Sequence, residues 1–374
     1  MLILPNRLCG VRATLDAYPR SAVKRPTMLD IANRAGVTKG AVSFALNGRP
    51  GVSEPTRQRI LAIADELGWQ PNSAAVALSD GRAGAFGLVV DRPARTLGLE
   101  PFFMQLVSGI QSVLSEDGTP LLFTVAEDQQ AELAVYRSWW ARRRVDGVFL
   151  VDLRVDDARV PLLEGLRMPT VVLGSPEASG ALPAVWSDDA EAVHAAVRHL
   201  AGLGHRRIGR VSGPDRLVHT RIRDAAFVDA TAGHGIEGSA VATDYSGEQG
   251  AEATRRLLRG DLSGGGLPPT ALIYDNDVMA VAGLTATLAL GLRVPADVSL
   301  VAWDDSQLCE LVQPPLTALS RDIAGYGAHA ARRLREAAGG SAVGDFQAPS
   351  PRLTLRTSTG PAPADRSART LRTR

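Results

Sequence analysis

Apolar positions along this chain recur with two different periods, and the change falls near residue 82. Before it, the spacing is three and four. Ile31 and Ala35 make one such pair, Val42 and Leu46 a second, and Ile60, Ile63, Ala64 and Leu67 a third group. Each is the stripe of a short amphipathic helix. The punctuation agrees: Thr27 with Asp30 is an approximate capping box, and Gly36 ends the first helix. Asn47-Gly48 stops the second, and Ser53, with Pro55 in the first turn, opens the third.

Beyond Arg82 short continuous apolar runs take over: "AFGLVV", "PLLFTV", "DGVFLV", "PTVVLG", "RIGRVSG", "TALIYD" and "VSLVAW", each bounded by Gly, Pro or Asp. Between them lie helical stretches such as "FFMQLVSGIQSVLSEDG", "AEAVHAAVRHLAGLG" and "AVAGLTATLALG". Strands without polar alternation, separated by helices, predict parallel sheets covered on both faces. Their number over so long a segment suits two doubly wound lobes, with a ligand cleft at the carboxyl ends of the strands. The expected plan is a disordered arm over residues 1–26, an all-α helix-turn-helix headpiece over 27–71 and a hinge helix or linker over 72–83. An α/β core of two doubly wound parallel-sheet lobes follows over 84–357, with a disordered tail over 358–374.

Composition narrows the class. Of 374 residues 45% are hydrophobic and 22% charged, the balance of a globular protein. The net charge is only +1, so any nucleic-acid contact must come from local charge. From Lys24 to Arg82 there are eight Lys/Arg against five Asp/Glu, a mild basic bias in the segment that carries the three helices. Cys9 and Cys309 lie far apart without metal-type spacing, which suits a reducing compartment. The opening 26 residues lack the apolar core of a signal peptide, and no apolar run has transmembrane length. A cytoplasmic protein without a membrane partner is the expectation.

Two helices joined by a tight glycine turn are the layout of a helix-turn-helix. Ala32 is small where the second helix crosses, Gly36 permits the turn, and Val42 packs back on the first helix. The second helix then presents Thr38, Lys39, Gly40, Ser43 and Asn47 to solvent, with Thr38 placed to cap it. The same residues also suit a plain helical hairpin with a solvated face. Catalytic signals are weak: the six histidines have no metal spacing, and there is no nucleophile elbow, phosphate loop or dinucleotide fingerprint. His205, between a helix and a strand, reads as a capping residue. Neither enzymatic activity nor a cofactor or metal is expected.

The run "VSEPTRQRILAIADELGWQPNSAAVAL" after the hairpin resembles the headpiece of LacI/GalR-family transcriptional regulators. The resemblance continues through "SDDAEAVHAAVRHLAGLGHRRIGRVSGP", "PTALIYDNDVMAVAGLTATLALGLRVPADVSLVAWDD" and "PPLTALSRDIAGYGAHAARRL", covering roughly residues 27–357. It implies a periplasmic-binding-protein-like core and a repressor that grips a near-palindromic double-stranded operator as a homodimer. By position, Lys39, Gly40 and Phe44 match base-reading places, and Thr27, Met28, Thr38, Ser43, Asn47, Ser53 and Asn72 match backbone-contacting or capping ones. Leu78 matches a minor-groove wedge. Gly40 has no side chain to read a base, and Phe44 suits either a thymine methyl or packing within the headpiece. Val76 stands where many members carry Arg.

For the core, the resemblance implies an effector between the lobes, expected to be a sugar. Arg223 falls at the ligand-contacting arginine, although Ala226 replaces the usual Gly beside it. Asn276, Asp277 and Asp304 match residues that hydrogen-bond sugar hydroxyls, and Tyr245 matches a stacking aromatic. Phe102 and Phe103 follow the first strand as cleft aromatics do. The chemistry suits vicinal hydroxyls and a pyranose face. Asp277 could equally cap the helix that follows, and Phe103 could equally be core. Gly174 stands where some sugar-responsive members have Asp. A solute-binding protein would share this core but would have no use for the headpiece.

Overall fold

The structure, a computed structural model, describes residues 26–70, 82–92, 97–261 and 267–364. The arm, most of the hinge segment and the last ten residues lie outside these, and with them Asn72, Val76 and Leu78. Two compact units divide the chain, the first ending at Ala75 and the second beginning at Val76.

In the first unit α1 (Met28–Ala35), α2 (Lys39–Leu46) and α3 (Glu54–Glu66) enclose Ile31, Ala32, Ala35, Val42, Ala45, Ile60 and Ala64. The capping box is present: Thr27 Oγ1 accepts from the Asp30 amide, and the Asp30 carboxylate accepts from the Thr27 amide at 2.8 Å. Gly36 takes φ +65°, a left-handed conformation that costs glycine little, and its amide bonds Ala32 O to close α1. Thr38 caps α2 by accepting from the Ala41 amide at 3.2 Å. Ser53 occupies the N-cap of α3, but its hydroxyl pairs with Thr56 Oγ1 at 2.9 Å and makes no cap bond to the backbone.

The second unit contains two six-stranded sheets. The first holds β1 (Phe86–Asp91), β2 (Leu121–Ala126), β3 (Gly147–Leu150), β4 (Thr170–Leu173), β5 (Ala184–Trp186) and the late β11 (Phe346–Gln347), in the order β11-β5-β4-β3-β1-β2, all parallel. The second holds β6 (Arg207–Ser212), β7 (Glu237–Ala242), β8 (Ala271–Tyr274), β9 (Ser299–Trp303), β10 (Thr317–Ser320) and β12 (Arg352–Thr354), in the order β12-β10-β9-β8-β6-β7. Only β12 there runs antiparallel. All seven expected strands are present. The five not singled out are short or, like β7, exposed and rich in small residues.

Helices α4 (Pro101–Leu114), α5 (Gln129–Ala141) and α6 (Arg159–Leu166) belong to the first lobe. The second lobe has α7 (Asp189–Gly202), α8 (Val218–Gly233), α9 (Gly247–Arg259), α10 (Asp277–Ala289) and α11 (Gln307–Leu311). The late α12 (Ile323–Ala338) returns to the first lobe, where Ile323, Tyr326 and Leu334 join Leu106 and Ile110 in one buried cluster. The chain therefore passes between the lobes three times: between β5 and α7, between β10 and α12, and between β11 and β12.

The tail expected to be disordered from 358 is packed as far as Ala362. Ser358 is fully buried, its hydroxyl donating to Leu300 O at 2.6 Å and accepting from the Thr317 amide at 2.8 Å, and Ala362 N donates to Leu203 O. Small polar groups that find backbone partners hold this segment without apolar side chains, so composition alone misreads it. His205 does cap the helix before it, its amide donating to Leu200 O at 3.1 Å, and its ring has a second task. Fully buried, it lies within hydrogen-bonding distance of Thr270 Oγ1, Ser299 Oγ and Gly360 O, and fixes the tail to the second lobe.

Candidate nucleic-acid interface and interlobe cavity

In the headpiece, α2 leaves Thr38, Lys39, Gly40, Phe44 and Asn47 exposed and Ser43 half-buried. Thr27 and Ser53 are exposed as well, whereas Met28 is half-buried and packs on the headpiece core. Phe44 is 43% exposed with its ring beside Gly51, so it packs within the headpiece and still shows an edge to solvent. A residue not singled out in the sequence supports this helix from below. Arg57 on α3 donates from Nη1 to Phe44 O at 3.3 Å and Ala45 O at 3.0 Å, and from Nη2 to Arg49 O at 2.8 Å. A guanidinium beside the carbonyls at a helix C-terminus adds charge-assisted bonds there and opposes the helix dipole.

Between the lobes lies a cavity of about 350 Å³, within the range of small-molecule sites. Its wall includes all seven effector residues expected from the sequence: Phe102, Phe103, Arg223, Tyr245, Asn276, Asp277 and Asp304. Most of them arrive from the loops and helix starts that follow the carboxyl ends of parallel strands, whereas Arg223 reaches in from the second turn of α8. Asp275, Asn276 and Asp277 follow β8, Asp304 follows β9, and Phe102 and Phe103 begin the helix after β1.

Several of these side chains also have structural work. Arg223 is held by Asp189, with Nε at 2.8 Å and Nη2 at 2.7 Å from Oδ2, and its guanidinium lies 3.6 Å over the Trp303 ring. Burial opposes its charge, but Asp189 and Asp275 keep its pKa raised. Asn276, not Asp277, caps α10: its Oδ1 accepts from the Met279 amide at 2.7 Å, and its Nδ2 donates to Tyr245 O at 3.1 Å. Asp304 sits at φ +61° and accepts from Arg321 Nε at 3.1 Å. Phe103 is both core and wall, only 1% exposed.

Tyr245 packs on Gly213, where any Cβ would overlap its ring, and its hydroxyl lies 2.7 Å from His219 Nε2. Arg92 stands 4.8 Å over that ring, so one face is already covered by a cation.

The wall holds further groups the sequence reading passed over: Arg92, Glu100, Asp152, Trp186, Asp189, His219, Asp275 and Arg321. A usable signal existed for most of them, since Arg92, Asp152, Asp189, Asp275 and Arg321 all lie within three residues after a strand end. Burial, and next the neighbouring Arg223, push His219 down to about 4, so it is neutral near pH 7. Burial pushes Glu100 up to about 7 against the pull of Arg92, and pushes Asp277 up to about 6.

Backbone bonds also join the lobes beside the cavity. Val218 N donates to Leu153 O at 2.8 Å and Val155 N to Arg216 O at 2.9 Å, around an antiparallel bridge from Arg154 to Leu217. Arg154 is anchored below by Glu132 and Asp91, at 2.7 and 2.9 Å. Among the described residues no His/Cys/Asp/Glu cluster suits a metal ion, and no helix is long and apolar enough to cross a membrane.

Comparison with known proteins places both units. Residues 27–72 match the model of bacterial regulatory proteins of the lacI family, and residues 197–359 match a periplasmic binding protein-like domain. The HTH-type transcriptional regulator MalR of Streptomyces coelicolor is 34% identical, covering 91% of this chain and 98% of its own. Among solved structures, the Lac repressor dimer bound to operator and the anti-inducer ONPF is 26% identical with a TM-score of 0.78, covering 90% of this chain and all of that one. A complex of the transcriptional regulator CelR with cellobiose is 29% identical with a TM-score of 0.66, covering 89% and 100%. With headpiece, two-lobed core and full-length relatives in agreement, the chain belongs to the lacI family of bacterial regulatory proteins.

Proposed function

We propose that this protein is a cytoplasmic transcriptional repressor that binds a near-palindromic operator as a homodimer and releases or grips it according to a sugar held between its lobes. The observation that carries the effector half is the convergence of Phe102, Phe103, Arg223, Tyr245, Asn276, Asp277 and Asp304 on one interlobe cavity. Carboxylates, an amide and guanidinium groups beside aromatic surface are the chemistry that recognises a polyhydroxylated ring. CelR, a relative of the same architecture, is known with cellobiose.

For the operator half, Lys39 is the base-reading side chain of first choice, able to donate to guanine O6 and N7. Phe44 offers an exposed edge to a thymine methyl, and Gly40 lets the helix backbone come close. Thr27, Met28, Thr38, Ser43, Asn47 and Ser53 position the headpiece on phosphates. Asn72 and Leu78 are assigned the hinge contacts. An effector coupling of about 1–3 kcal/mol would change operator affinity roughly 5- to 150-fold. The family and its named relatives are regulators rather than enzymes, and no catalytic role is assigned.

A pair of substitutions tests both halves. Lys39→Ala is expected to weaken operator binding by about tenfold or more while sugar binding by calorimetry is unchanged. Asp304→Ala is expected to leave operator affinity intact and abolish its response to sugar. Equal loss of both activities in either variant would refute the division of labour.

A further inference from the structure

Arg92 and Glu100 face each other across the first-lobe wall of the cavity, and neither is fully satisfied by protein. Both are at least nine-tenths buried. Arg92 Nε and Glu100 Oε2 stand 3.7 Å apart, too far for a hydrogen bond, and neither atom has another hydrogen-bond partner among the described residues. The rest of each side chain is fixed. Arg92 Nη2 is 2.9 Å from Asp152 Oδ2, its guanidinium lies over the Tyr245 ring, and Glu100 Oε1 is 3.5 Å from Asn276 Nδ2 on the opposite lobe. A buried donor and a buried acceptor left unsatisfied at this separation are costly, and a polar atom bridging both from the cavity side would remove the cost.

A hydroxyl oxygen about 2.8 Å from both would close the gap, accepting from Nε and donating to Oε2. We infer that Arg92 and Glu100 form a clamp for one hydroxyl of the bound sugar, selecting a free hydroxyl there over one phosphorylated or oxidised to a carboxylate. The inference rests on the sugar reading of the cavity. The selectivity follows from charge. Asp152 already occupies one side of the arginine, and Glu100, Asp277 and Asp304 face the same space, so an anionic substituent would be buried among carboxylates. Arg92 can be picked out by its place after a strand, but nothing in the sequence pairs it with Glu100, because seven residues lie between them and they meet only where β1 ends and α4 begins.

The test is calorimetric titration of the full-length protein with cellobiose, maltose, glucose, glucose 6-phosphate and glucuronate. Monodeoxy analogues of whichever neutral sugar binds complete the series. A neutral sugar is expected to bind about tenfold or more tightly than its charged counterparts, and one deoxy analogue to lose about tenfold on the wild-type protein. Glu100→Gln is expected to bind the neutral sugar about tenfold more weakly and to be indifferent to that one deoxy substitution. Full affinity for a charged sugar, or no deoxy position that matters, overturns the clamp while leaving the sugar site standing. The deoxy series on the wild-type protein decides the matter even if Glu100→Gln fails to fold. If none of the sugars binds, the reading of the cavity falls and the clamp with it.

Discussion

Burial acts on the carboxyl groups of the cavity in unequal measure, and the inequality can be measured. Glu100 has a single arginine near it and sits at about 7, whereas Asp189, forked by Arg223, is held below the ordinary carboxylate range despite its burial. A carboxyl whose folded pKa is raised keeps its proton longer folded than unfolded. Its contribution therefore favours folding at low pH and is lost as pH rises from about 4.5 to about 7. Comparing denaturant unfolding at pH 5 and pH 7.5, the wild-type protein should lose about 1–3 kcal/mol relative to Glu100→Gln, which has no proton to lose. An identical pH dependence in the two proteins would contradict the burial of this charge. This is also the scale at which the sequence is least legible. Arg223, Asn276 and Asp304 are readable because motifs carry them, but Arg92 and Glu100 depend on where a strand stops.

Single elements were easier to read, with instructive exceptions. Capping residues, a glycine turn and apolar spacing fixed the three headpiece helices almost to the residue. The seven apolar strands were visible because their runs lack polar alternation, which in all but β2 reflects burial on both faces. β5, β11 and β12 have only two or three residues each, so pairing with a neighbour, not local pattern, defines them. The same holds for the support under α2. Arg57 looks like an ordinary charge on a solvated helix, yet it binds three carbonyls at the end of the proposed reading helix. Arg57→Ala should cost the headpiece about 1–2 kcal/mol in thermal unfolding, and weaken operator binding without touching the sugar site. Lysine at this position should restore little, since one ammonium cannot match the guanidinium fork.

At the scale of the whole core, chain order and spatial order diverge. The first lobe is finished by α12 and β11, which come after nearly all of the second lobe, and the second is finished by β12 and the strap ending near Ala362. The sequence revealed the two lobes but not this exchange, because the returning segments carry the same texture as their neighbours. Ending the chain after residue 340 should therefore damage both lobes, removing a border strand from each sheet and Gly360 O, one of the partners of His205. Such a product is expected to lose its cooperative core transition by circular dichroism. The helical signal of the headpiece, which has its own buried cluster, should remain.

The three passages between the lobes also bear on how the protein is made. A ribosome delivers the DNA-reading end first, and its seven-residue core needs nothing that comes later. The receptor cannot complete both sheets until residues 346–354 have been translated. Any message cut short, or any polypeptide clipped inside the core, would thus leave a reader with no sensor attached. Clearance of such fragments would then matter to the cell as much as synthesis of the intact regulator.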